Sequence, residues 1–216
     1  MLQAATDIGV ALVDTAPAYG TSEARLGAYL SSLGTRPAPF MIATKCGEFW
    51  SAERGSWADH SAAAVEDSVR NSARLLGRID LLQVHKATAE LIRRPGLVDL
   101  LRDLAADLGI AHLGVSARDV GTCEAAAASG AFEYVQCPVN PGVPDLAEWA
   151  ARSRDEITII ANRPYGSGAL IGAGRSRQDL LRFTADHVGR GIVLTGTTKP
   201  AHLRQSAETL RHVCRG

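Results

Sequence analysis

The sequence predicts an α/β fold: a TIM-type (β/α)8 barrel truncated at its N-terminus, with about seven recognisable β/α units. Three observations carry that reading. Short apolar runs alternate with amphipathic helical stretches at a spacing of roughly 20–40 residues, the rhythm of βαβ units. Several of the runs are continuously apolar, as parallel strands covered on both faces are. Polar residues recur at the C-terminal ends of the runs, where a parallel barrel gathers its chemistry. An open doubly wound sheet would want a glycine-rich phosphate turn after its first strand, and no GxGxxG stands there.

The elements follow in order. The chain opens with LQAATDIG, a short helix ending at Gly9, past the point where a barrel's first strand would stand. ALVD (11–14) is the first visible strand, and a Pro/Gly/Thr loop leads to a helix over 22–33 that starts at Ser22 with an acid in its first turn. FMIAT (40–44) is the second strand, and the long loop CGEFWSAERGSWADH (46–60) follows it. The helix over 61–77 has apolar positions at Ala64, Val65, Val69, Ala73 and Leu76 and ends at Gly77. DLLQVH (80–85), HLGVS (112–116), YVQCPV (134–139), ITIIAN (157–162) and GIVLTG (191–196) complete the strands. Helices over 97–108, 119–130, 145–154, 178–189 and 200–213 alternate with them. Uninterrupted strand, helix, strand implies right-handed crossovers and a parallel sheet.

At 216 residues the chain is expected to form one domain over 1–216. Lys+Arg and Asp+Glu are both 23, so no net charge argues for nucleic acid or an anionic membrane surface as partner. Clusters such as Arg93-Arg94 read as solvated faces. Cys46, Cys123, Cys137 and Cys214 have no metal or redox spacing and are too sparse for a disulfide framework, which fits a reducing compartment. There is no signal-peptide core after a basic start and no run of membrane-spanning length, so the expected location is cytoplasmic.

The strand ends hold the informative residues. Asp14 closes the first visible strand, Lys45 follows the second and His85 closes the third. Ser116 closes the fourth, and Gln136 with Asn140 lies towards the end of the fifth. Singly, each has a bland explanation: a helix cap, a hydrogen-bonded core histidine, a lysine emerging into water. Jointly, in register on three consecutive strands and with Tyr19 nearby, they converge on one pocket. The chemistry open to such a set is specific. A phenol has an ordinary pKa of about 10, a nearby ammonium favours its anion, and a carboxylate can hold that ammonium in place. A histidine beside the phenol can donate to a carbonyl oxygen and orient it. Such a set protonates or polarises a carbonyl while a cofactor delivers hydride.

These residues resemble a known family, the aldo-keto reductases, NADPH-dependent (β/α)8 enzymes without a metal. DTAPAYGTSEARLG is similar to the family's DTAxxYGxSExxLG signature, ATKCG to its ATK strand, DLLQVHK to its histidine strand and LGVSARD to its GVS strand. VQCPVNP, IIANRPYGSGAL and VLTGTTKPAHLRQSAETL are similar to its last three strand-loop units. The resemblance implies Tyr19 as general acid, Lys45 acting on it, Asp14 paired with Lys45, and His85 orienting the substrate carbonyl. It implies Ser116 and Gln136 on the nicotinamide carboxamide, and the turn Gly196, Thr197, Thr198 and Lys199 on the 2′-phosphate end of NADP(H). Arg204 adds charge there, and a helix N-terminus with basic neighbours suits phosphate. The Gly/Ser-rich loop 163–177, with Tyr165, Gly166 and Ser167, reads as a lid over the pyrophosphate. Trp50 and Trp57 of the 46–60 loop read as the apolar wall of the substrate pocket.

The sequence departs from the family pattern in three places. Ala117 stands where the family has asparagine, Gln205-Ser206 replaces a Glu-Asn pair, and the N-terminal hairpin and first barrel strand are absent. Open parallel edges favour pairing, so a homo-oligomer formed through the barrel edge is one expectation. The leading function is reduction of an aldehyde or ketone. Two alternatives stand beside it: cofactor-independent lyase, dehydratase or isomerase chemistry in the same pocket, and a non-catalytic nucleotide-binding or scaffold subunit.

Overall fold

The computed structural model describes residues 1–213; Cys214, grouped above with the other cysteines, lies outside the described residues. Helix α1 (Leu2–Ile8) stops at Gly9, whose φ of 75° supplies the left-handed turn that ends it. Strand β1 (Leu12–Asp14) then pairs in parallel with β2 (Met41–Cys46), with α2 (Ser22–Ser32) between them. Next comes an antiparallel hairpin, β3 (Glu48–Ser51) and β4 (Gly55–Ala58), ahead of α3 (Ala62–Leu76). The alternation resumes with β5 (Leu81–Val84), α4 (Ala89–Arg93), α5 (Leu97–Leu108), β6 (His112–Ser116) and α6 (Val120–Ala128). It continues with β7 (Tyr134–Pro138), α7 (Pro144–Ser153), β8 (Thr158–Asn162), α8 (Ala169–Gly172), α9 (Arg177–Val188), β9 (Ile192–Val193) and α10 (Pro200–Val213). Seven strands form one parallel sheet in the order β1-β2-β5-β6-β7-β8-β9, curled into a nearly closed barrel with the helices outside.

Side-chain alternation along the strands separates two cores. Ile42, Leu82, Val84, Val115, Val135 and Ile159 belong to the outer layer, packed with buried helix residues such as Val65, Leu101 and Trp149. Leu12, Ala43, Leu81 and Ile160 form a smaller inner cluster inside the barrel. Above that apolar plug the polar residues stack by register, Lys45 beside Gln83 and Ser116 beside Gln136. Gly114 makes room in this layer, because a Cβ there would stand 3.0 Å from the Tyr134 carbonyl oxygen and 3.3 Å from Gln83.

β1 and β9 are the two ends of the sheet, and helices α1 and α10 pack together along the seam between them. The Arg211 guanidinium donates to the Ile8 carbonyl, and Arg204 approaches Asp7 to 3.9 Å.

The elements differ from the sequence reading in three places. The segment 46–60, read as a loop, contains the β3–β4 hairpin: Gly55, at φ 72°, makes its turn, and Phe49 stacks on Trp57 across the strands at 5.6 Å. The last strand is two residues long instead of six, because it pairs with β8 alone. The short helices α4 and α8 were not anticipated. Among the described residues no helix is long and apolar enough to cross a membrane.

Candidate active site

The C-terminal ends of the strands open into a cavity of about 1130 Å³. It runs from Tyr19 and His85 past Ser116 and Gln136, and down the seam as far as Leu12 and Leu210. β1 delivers Asp14 to its rim, and β2 delivers Lys45 directly beside it. The Lys45 ammonium, 1% exposed, lies 2.5 Å from Asp14 Oδ2 and donates to the Thr15 carbonyl at 3.0 Å. Burying an ammonium is costly unless it is paired and hydrogen-bonded, and these contacts supply both. Asp14 is held from its other side, where Gln83 Nε2 donates to Oδ1 at 3.0 Å.

Tyr19 ends a single 3-10 turn, Pro17–Tyr19, and is 47% exposed. Its ring lies 5.0 Å from Lys45 Nζ and meets the His85 imidazole edge-on at 5.9 Å. His85 is buried, and burial, reinforced by the charge of Lys45, pushes its pKa down to about 4 against the pull of Glu48 and Asp14. Its backbone carbonyl is fixed by His60 Nε2 at 2.8 Å. Behind Lys45, buried Glu23 accepts from the Thr44 hydroxyl at 2.6 Å. Burial pushes the Glu23 carboxyl above its ordinary range despite the hydrogen bond from Thr44 and the charge of Lys45.

Asp14, Tyr19, His85, Ser116, Gln136, Tyr165, Ser167, Gly196 and Thr197 all line this one cavity, while Lys45 lies buried beneath its rim. The Tyr165 hydroxyl is 2.9 Å from Ser206 Oγ, which ties the loop after β8 to α10, and Arg177 sits 5.3 Å from the Tyr165 ring. Gly166, Thr198, Lys199 and Arg204 are not among the lining residues. Gly166 supplies a left-handed turn at φ 57°, and the Lys199 backbone N–H donates to Thr197 Oγ1 at 3.1 Å. Asn140 serves the scaffold: its amide donates to the Arg163 carbonyl at 2.8 Å.

The tryptophans require a correction. Neither Trp50 nor Trp57 lines the cavity, because the hairpin turns them onto its own faces. Trp57 stacks on Phe49 and has Arg54 4.6 Å from its ring, and Trp50 is 49% exposed. The hairpin residue that does reach the cavity is Glu48. Three further polar residues escaped the sequence reading. Lys86 pairs with Glu48 at 2.5 Å, and Gln83 holds Asp14. Asn162 lines the cavity with a buried Oδ1 that has no hydrogen-bond partner. Gln83 and Asn162 share the inward-facing strand parity of Lys45 and His85, so alternation along the strands is a signal that reaches them. Among the described residues no group of three or more His, Cys, Asp or Glu is placed to hold a metal ion.

Comparison with known proteins bears directly on this arrangement. The aldo/keto reductase family profile matches residues 1–184. The aldo-keto reductase yakc [NADP(+)] of Schizosaccharomyces pombe is 28% identical over 189 residues, covering 83% of this chain and 55% of its own length. The chain thus spans little more than half of that curated relative. A Pseudomonas aeruginosa structure described as an aldo-keto reductase superposes with a TM-score of 0.83 at 26% identity, covering 98% of this chain and 81% of the other. An aldo-keto reductase from Klebsiella pneumoniae, solved in complex with NADPH, shares the fold with a TM-score of 0.70 at 20% identity, covering 97% of this chain and 77% of the other.

Proposed function

Because the chain belongs to the aldo/keto reductase family, we propose that it is an NADP(H)-dependent oxidoreductase that reduces a small aldehyde or ketone with Tyr19 as general acid. The observation that carries this reading is the convergence of Tyr19, Lys45, Asp14 and His85 at one end of a cavity whose far wall is Ser116, Gln136 and Tyr165.

The residues fit a dinucleotide. The cavity is long enough to run from the Tyr19 end to the N-terminal approach of α10, and the unpartnered Asn162 Oδ1 supplies a buried acceptor along the way. Ser116 and Gln136, with Asn162 beside them, would hold a nicotinamide carboxamide. Tyr165, Ser167, Gly196 and Thr197 would contact the rest of the dinucleotide. When bound, the cofactor supplies a hydride to the carbonyl carbon.

The protein's own part is proton supply and positioning. Tyr19 carries a proton to the reacting oxygen. Lys45 places positive charge 5.0 Å from the centre of the Tyr19 ring, beside the negative charge that develops in the transition state. Asp14, clamped by Gln83, keeps that ammonium in place, and His85 orders the hydrogen bonds around Tyr19 and the reacting oxygen. Reductions of this kind need the phenol itself. Tyr19→Phe is therefore expected to lower kcat on a carbonyl panel by about 10²–10⁴-fold while leaving the melting temperature and NADPH binding unchanged. Nicotinamide fluorescence titration tests the cofactor half. Absence of binding at millimolar NADPH by a protein folded by circular dichroism overturns the reading.

A further inference from the structure

The β3–β4 hairpin stands between Tyr19 and His85 and touches the backbone of both. Strand β3 lies against the Pro17–Tyr19 turn. The base of the hairpin holds His85 by its two backbone groups: the His85 N–H donates to the Cys46 carbonyl at 2.8 Å, and the His85 carbonyl accepts from His60 Nε2 at 2.8 Å. Cys46 is the last residue before the hairpin, and His60 follows β4 by two residues.

We propose that His60 is a positioning residue: its hydrogen bond to the His85 carbonyl clamps the hairpin to the end of β5 and so fixes His85 relative to the Tyr19 turn. The inference deepens the reductase reading and rests on its assignment of Tyr19 and His85.

The sheet explains why a side chain is needed there. Along a parallel strand the N–H and C=O of one residue point to the same neighbour. The His85 N–H goes to β2, so its carbonyl faces that side too, where the next donor would come from a continued β2. But β2 ends at Cys46, and Gly47, left-handed at φ 89°, turns the chain into the hairpin. His60 supplies the missing donor, and because a carbonyl oxygen only accepts, its Nε2 carries a proton. The ring gets close enough only because position 47 has no side chain: a Cβ there would stand 2.2 Å from His60 Cδ2 and 2.4 Å from Nε2. The backbone around the ring is held as well. The Asp59 N–H donates to the Gly47 carbonyl at 3.0 Å, and the Arg94 guanidinium donates to the His60 carbonyl. Beyond His85, Lys86 at φ 48° bends the chain and returns its ammonium to Glu48 of the hairpin at 2.5 Å. A reacting group displaced by about 1 Å can cost about 10²-fold in rate, so a clamp on this backbone bears on turnover.

Three variants and one spectrum test the clamp. At saturating NADPH, His60→Ala is expected to lower kcat on the carbonyl panel by about 10²-fold with NADPH binding unchanged, and Gly47→Ala, which evicts the ring, should do the same. His60→Gln can donate from the position of Nε2 and should recover most of the loss. NMR of the cofactor-free proteins reads the same order without turnover, with the His85 signals assigned by their loss in His85→Asn. The His85 and Tyr19 ring signals should move in His60→Ala and Gly47→Ala and return towards the wild type in His60→Gln. A merely structural His60 would lower the melting temperature but leave those signals and the kcat of folded protein in place, which overturns the proposal. A folded His60→Gln with no recovery overturns it too. Should the variants not fold, the wild type decides: nitrogen-15 spectra should show His60 protonated on Nε2 with slow proton exchange, and a bare or freely exchanging Nε2 refutes the clamp. Ring signals that move as expected in a protein that reduces no carbonyl would sink the reductase reading alone.

Discussion

His85 governs how this fold responds to acid, and the effect can be worked out from its surroundings. The ring is buried beside Lys45, and its pKa falls from the ordinary 6.5 to about 4 in the folded protein. The unfolded chain therefore binds a proton that the folded one refuses throughout the interval between those values. Stability contributed by the neutral ring is fully present above pH 6.5 and falls as the pH drops through the interval, because the unfolded state is the one that gains protons. At about 1.4 kcal/mol per pKa unit, the loss by pH ~4.5 comes to about 2–3 kcal/mol, a large part of the roughly 5–15 kcal/mol that holds a domain together. Lys45 and Lys86 press the ring towards neutrality and Glu48 and Asp14 oppose them, so the net value already contains all four charged neighbours. The loss of Glu48 as a carboxylate acts in the same direction, since its folded pKa is held below 4.5, but it sets in at lower pH. His85→Gln cannot titrate and isolates the ring. Urea unfolding of both proteins at pH 7 and at pH ~4.5 gives the comparison, with equal slopes as the check on two-state behaviour. The wild type should lose about 2–3 kcal/mol more than His85→Gln across that span. Parallel profiles, or a variant more acid-sensitive than the wild type, would refute a buried neutral His85.

Two other substitutions probe the frame around the site. A Cβ on Gly27 would lie 1.8 Å from the Leu75 carbonyl oxygen, where α2 and α3 touch. Gly27→Ala gains about 1 kcal/mol of helix propensity, but backbone cannot yield as a side chain does. A net loss of about 1–3 kcal/mol in thermal or urea unfolding is expected. An unchanged or raised melting temperature would show that α2 and α3 separate freely. Glu23→Gln addresses the acid behind Lys45. The Glu23 carboxyl is raised by burial, so its contribution is lost as the pH climbs from 4.5 through its folded pKa. The variant should therefore gain on the wild type with rising pH when both are unfolded in urea at pH ~5 and ~8. A gap that moves the other way contradicts the burial argument.

Much of the frame could be read in advance because parallel strands advertise themselves. A strand covered on both faces must be apolar throughout, as Leu81–Val84 nearly is, and the helices between announce their ends at Gly77 and Gly109. The hairpin was hidden for the opposite reason. EFWS and GSWA are short, carry no continuous apolar run, and owe their pairing to the Phe49–Trp57 stack and the turn at Gly55, which local periodicity does not register. Reading the segment as a loop sent both tryptophans to the pocket, whereas the hairpin keeps Trp57 against Phe49 and Arg54.

The same distinction divides the site. Asp14, Lys45 and His85 were legible because the barrel makes the end of each strand a fixed address, so residue type and position in the run locate them together. Asn162 stands at such an end and was read only as the close of its apolar run, while Gln83 lies two residues before His85, inside the strand. Glu48 obeys no such rule. It lies three positions beyond Lys45, yet it contacts His85 and Lys86, and only the fold of the hairpin decides which of its many neighbouring directions it takes. Residues fixed by the barrel can therefore be found by counting, and Glu48 cannot. The strand pattern locates Asp14, Lys45 and His85, while the carboxylate that stands against His85 is brought there by a tertiary contact.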